Sequence, residues 1–139
     1  MDVWRSYRLW IIVPAIFSFT LSFLLGACGH EDSRASDAAN WLTSYYRTNP
    51  PNLEWVVINI TIDGKGRVVV NVLVPDEGQV GLIKSRARVE QAHIVRMACP
   101  SNAAEVWVIL SGNRVLWVNL LEETAGGLYK QITGSSCKR

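Results

Sequence analysis

The chain has 139 residues, 49% of them hydrophobic, and fourteen Lys and Arg against twelve Asp and Glu give a net charge of +2. That length suits one small domain, the apolar content excludes an intrinsically disordered chain, and so weak a net charge supplies no long-range field for gathering nucleic acid. No nucleic-acid partner is expected. In chain order, Arg5 and Arg8 come first, succeeded by seventeen residues without a charge, Leu9 to Leu25. A short basic start before an apolar run that ends in small residues has the layout of an export leader. As a helix the run reaches about 26 Å, just short of the roughly 30 Å hydrocarbon core of a bilayer, so an uncleaved single span is the competing reading. Both readings hold the two arginines in the cytoplasm and export the remainder of the chain.

Leu25-Gly26-Ala27-Cys28 closes the run. This quartet resembles the lipobox of bacterial lipoprotein precursors, in which a branched apolar residue and two small residues precede a cysteine. The resemblance covers the leader alone; beyond it no family motif is legible. It implies that residues 1–27 are a signal peptide removed on processing and that Cys28 is S-diacylated and usually acylated at its new amino terminus; separately, no residue pattern in the chain calls for a cofactor, and none is expected. At about 0.8 kcal/mol per buried methylene, two or more acyl chains give a durable anchor where one would bind reversibly. Gly29 is not the aspartate that the family associates with inner-membrane retention, so the implied location is the outer membrane, facing the periplasm. Residues 28–36, rich in small and charged side chains, read as a tether, and residues 37–139 as one domain.

Within the domain, Ser36 or Asp37 is placed to cap a helix whose stripe is Ala38, Trp41, Leu42 and Tyr45, stopped by Asn49-Pro50-Pro51. Glu54 to Ile62 alternates as a strand, with Val56, Ile58, Ile60 and Ile62 on one face and Val57, Asn59 and Thr61 on the other. Asp63-Gly64-Lys65-Gly66 reverses the chain, and Val68, Val70, Val72 and Val74 form the inward row of a second strand. Asp76 with Gln79 three residues on fits a capping box for a second helix, striped by Ile83, Ala87, Ile94 and Ala98, running through Cys99 to Pro100. Glu105 to Leu110 and Val115 to Leu121 then read as strands around Ser111-Gly112-Asn113. The expectation is an α+β two-layer sandwich in the order αββαββ, with a four-stranded, mainly antiparallel sheet and two helices on one face. The repeated helix and hairpin order admits either a duplicated unit or a shared liking for proline at helix-to-strand junctions.

The opposite sheet face is then unusually apolar. Alternation assigns it Trp55, Val57, Asn59, Thr61, Val69, Asn71 and Leu73, joined by the Trp107 or the Val108 row. Trp55, Val57, Leu73 and Trp107 are accordingly the candidate partner-binding residues. Either the face is bare and meets a partner, or the tail from Ala125 to Ile132 folds across it.

With Cys28 lipidated, Cys99 and Cys137 remain of the three cysteines, in a compartment where thiols oxidise. They are candidates for a disulfide; the alternative is a buried Cys99 with a free Cys137. The two histidines, His30 and His93, lack companions at ligand spacing, so no metal site is nominated. Lys84, Arg86, Arg88 and Arg96 make the second helix basic, which suits either a solvated face or contact with phosphates or an acidic partner. No catalytic residue can be named. The expected role is that of a non-enzymatic, lipid-anchored envelope protein, an accessory or assembly subunit for another envelope protein; a periplasmic small-molecule or lipid carrier using the apolar sheet face as a pocket wall is the alternative.

Overall fold

The structure, a computed structural model, describes residues 29–111 and 115–139, and Glu31–Arg139 form one compact unit. The leader, the lipobox and Cys28 lie outside the described residues. The elements are α1 (Gly29–Thr48), β1 (Val56–Ile62), β2 (Val68–Leu73), α2 (Glu77–Ser85), α3 (Arg88–Arg96), α4 (Val106–Ile109), β3 (Leu116–Thr124) and β4 (Leu128–Cys137). Helices and one four-stranded sheet make an α+β arrangement, but the sheet is mixed. Its order is β1-β2-β3-β4, with antiparallel pairs at either side and a parallel pair, β2 with β3, in the centre. The expectation of a mainly antiparallel sheet is thereby corrected: three helices lie between β2 and β3, and a crossover of that length returns the chain to the same end of the sheet, which a tight turn cannot do.

The first hairpin forms as its sequence indicates. One Asp63 carboxylate oxygen accepts from the backbone N–H groups of Lys65 and Arg67, both at 2.9 Å, and Gly66 supplies the left-handed φ of 72° that the reversal needs. The second hairpin lies where a covering tail was expected. Gly126 and Gly127, at φ 94° and 74°, turn β3 into β4, and Thr124 Oγ1 donates to the Leu128 carbonyl across the turn. The segment 125–132 is therefore turn and edge strand, not a lid.

Three further corrections are local. First, Glu105 to Leu110 is not a strand: its apolar residues are contiguous, a pattern that periodicity alone cannot assign. The chain takes the helical option because Val106 and Leu110, one turn apart, both enter the core. Second, the helix expected from Asp76 to Cys99 is two helices. Arg86 and Ala87 adopt extended backbone between them, leaving Ala87 exposed, and the Gln91 side-chain amide donates to the Arg86 carbonyl at 3.0 Å. The Asp76 cap itself is present, accepting from the Gln79 N–H at 2.7 Å. Third, α1 begins at Gly29, so residues 29–36 of the stretch read as a tether are helical.

The core lies between the helices and one face of the sheet. Val68, Val70, Val72 and Val74 of β2 and its extension are buried, as are Leu116, Val118 and Leu120 of β3, against Ala38, Leu42 and Tyr46 of α1, Val80 and Ile83 of α2, and Val95 and Ala98 around α3. Tyr46 donates its hydroxyl to the Ala98 carbonyl at 2.6 Å, and burial, with Tyr45 beside it, pushes its ionisation well above the usual tyrosine range. Among the described residues no buried side-chain polar atom lacks a hydrogen-bond partner.

Candidate functional site

Of the four residues nominated for partner binding, the structure leaves one on the uncovered sheet face. Trp55 precedes β1 and is buried, 5% exposed, with its indole N–H donating to Gln79 at 2.9 Å. Val57 is turned toward the helices: Ile58 is an extra residue in β1, since Val57 pairs with Val72 and Asn59 with Asn71, and this bulge reverses the alternation ahead of it. Val56, expected inward, is instead 54% exposed on the open face. Trp107 stands on α4, not on a strand, and donates to the Ser101 carbonyl. Leu73 alone is where alternation puts it, opposite Val56 and Leu121.

The open face has a feature that alternation did not disclose. Asn59, Asn71, Asn119 and Gly134 stand in one row across all four strands. Asn119 Nδ2 donates to Asn71 Oδ1 at 3.0 Å, Asn71 Nδ2 donates to Asn59 Oδ1 at 2.6 Å, and Trp117 Nε1 donates to Asn119 Oδ1 at 2.8 Å. The Arg67 guanidinium sits 5.2 Å from the Trp117 ring centre while its Nε bonds Asp63 at 2.6 Å. Asp63 is held below the usual carboxylate range, chiefly by the backbone N–H of Arg67, then by the Arg67 side chain and the Lys65 N–H. Asn59 and Asn71 were legible as outward residues; Asn119, in their row, and Trp117, in the next row beside Val69, were not, because the parallel register sets both places.

A second surface feature lies at the β1 edge. The helices cover β2 and β3 fully but stop short of β1, whose helix-side row is half-buried at Val57 and Ile60 and 39% exposed at Ile62. A groove of about 400 Å³ runs between α1 and β1, lined by Thr43, Tyr46, Arg47, Pro50, Val57 and Ile60 among others.

Cys99 and Cys137 are at disulfide distance, with Sγ atoms 1.98 Å apart, joining the end of α3 to the end of β4. His93 is exposed, and among the described residues no group of three His, Cys, Asp or Glu could hold a metal ion. Two members of the basic cluster have carboxylate partners: Lys84 pairs with Glu122 at 2.5 Å and Arg86 with Glu90 at 3.7 Å. Among the described residues no helix is long and apolar enough to cross a membrane. No family model, curated protein or solved structure was found to match the chain.

Proposed function

We propose that the protein is a small exported lipoprotein, anchored through Cys28 at the outer membrane and facing the periplasm, whose domain serves as a non-enzymatic accessory or assembly subunit for another envelope protein. The observation that carries the reading is the Cys99 and Cys137 pair. A cross-link between two elements of one small domain suits an oxidising compartment, and the leader with its lipobox supplies the route there. A sheet with one face free of helices among the described residues also offers a surface to a partner while the core packs on the other face.

The test is mass analysis of the mature chain from membranes. The expected product begins at Cys28, carries diacylglyceryl on that sulfur and has no alkylatable thiol at positions 99 and 137; Cys28→Ala should leave full-length, unacylated precursor. A soluble protein bearing a bare thiol at position 28 overturns the proposal.

A further inference from the structure

We infer that the outer edge of β1, together with the groove between it and α1, receives an extended polypeptide segment of the partner as a fifth strand, with a carboxylate of that segment against Arg47. The inference rests on the envelope-subunit reading and specifies the chemistry of its partner. Main-chain hydrogen bonding along an antiparallel pair alternates between the partner strand and the outside. The Asp63 N–H donates to the Arg67 carbonyl at 3.0 Å, so by that alternation Thr61 and Asn59 bond β2, while the N–H and C=O of Ile60 and Ile62 face outward. A row of such groups is complemented best by another backbone.

The two sheet edges differ. β4 has α3 packed along it, is cross-linked at Cys137 and carries Lys130. β1 is seven residues, Val-Val-Ile-Asn-Ile-Thr-Ile, without a charge or a proline, two of the devices that keep an edge from pairing, and its bulge at Ile58 leaves Asn59 to Ile62 as the regular stretch open to a partner strand. Alternate side chains of an added strand would point into the groove, against Val57, Ile60 and Tyr46. Arg47 is the charged residue among those lining it, is exposed, and has no ion-pair partner among the described residues. The groove therefore favours an apolar segment carrying an acidic side chain or a chain terminus. The asparagine row offers less to a partner, since its amides already bond one another.

The test selects peptides from a displayed random decapeptide library on the full-length acylated protein in detergent micelles, then measures synthetic versions by fluorescence anisotropy. Enriched peptides should alternate apolar residues, carry a carboxylate and perturb the Ile60 and Ile62 amide resonances. Ile60→Pro removes an outward donor without touching the β2 ladder, and should weaken binding about ten-fold, the equivalent of one main-chain hydrogen bond. Should that variant fail to fold by circular dichroism, Ile62→Lys takes its place. Arg47→Glu should weaken the acidic peptides and spare their amidated, neutral forms. The inference is overturned by a library with no enriched sequence, by peptides that bind the edge variants as tightly as wild type, or by self-association of the chain that Ile60→Pro abolishes, which would make a second copy the occupant. Any of these results with Cys28 still acylated leaves the anchor reading standing, and a bare Cys28 with peptide binding intact does the reverse.

Discussion

The indole N–H of Trp55 donates to the side-chain carbonyl of Gln79 at 2.9 Å, and the Gln79 amide in turn donates to Glu54 at 2.6 Å. A residue at the foot of α2 thus seats the tryptophan that leads into β1. Replacing Gln79 by Leu keeps the volume but leaves a part-buried indole donor without its acceptor. The expected cost is about 1–3 kcal/mol, read as a lower urea midpoint by tryptophan fluorescence. An unchanged midpoint would mean that apolar burial alone holds Trp55.

The second prediction concerns the cross-link. Cys99 and Cys137 are 38 residues apart, and closing a loop of that length stabilises by about 4 kcal/mol in the chain-entropy model. Cys137→Ala should lose most of that amount, and reductant should lower the wild-type melting temperature while leaving the variant's unmoved. Equal sensitivity of both proteins to reductant would count against it.

Gly134 gives a third. A Cβ there would fall 2.5 Å from Asn119 Oδ1 and 2.8 Å from Trp117 Nε1, inside the hydrogen-bonded row. Gly134→Ala should cost about 1–3 kcal/mol by forcing those side chains apart. Combined with Asn119→Ala the loss should be less than additive, because the closest neighbour is already gone; strictly additive free energies in a double-mutant cycle would refute the coupling.

Asp63 sets a pH dependence. Its carboxyl ionises below the ordinary carboxylate range in the folded chain, chiefly because the Arg67 backbone N–H donates to it. The unfolded chain therefore binds a proton first as pH falls. Asp63 contributes stability that is complete above its unfolded value and is lost as pH drops through the lowered folded value. Asp63→Asn should be less stable than wild type at neutral pH, with the gap closing below the usual carboxylate range. Denaturation curves from neutral to strongly acid pH that stay parallel would contradict this.

The parts of the fold legible in the sequence are those governed by neighbours in the chain. Val68, Val70, Val72 and Val74 alternate without interruption and are all buried; Asp63 to Gly66 and the Asp76 to Gln79 cap act over four residues and form as read. What eluded the sequence depends on partners far away. One extra residue at Ile58 exchanges the faces of Val56 and Val57, and nothing in a run of β-branched residues marks which of them bulges. Val106 to Ile109 suits helix or strand equally until the core claims Val106 and Leu110. Gly126-Gly127 is a hairpin signal, yet its strands could be paired only once the Glu105 to Leu110 segment had been removed from the sheet. The candidate site suffers most from this, because Trp117 and Asn119 join Asn71 through a register that only the parallel pair sets.

The parallel pairing of β2 with β3 also orders assembly in time. Each hairpin closes over a short turn, an event of about 1–10 μs, whereas the seam between Val68–Leu73 and Leu116–Leu121 waits for closure of everything from Val74 to Val115, at an entropy cost that grows with the length enclosed. Oxidation of Cys99 with Cys137 shortens that path, because it fastens the second hairpin to α3 partway along. A nascent chain that acquires the bond before the halves meet therefore has less distance to search.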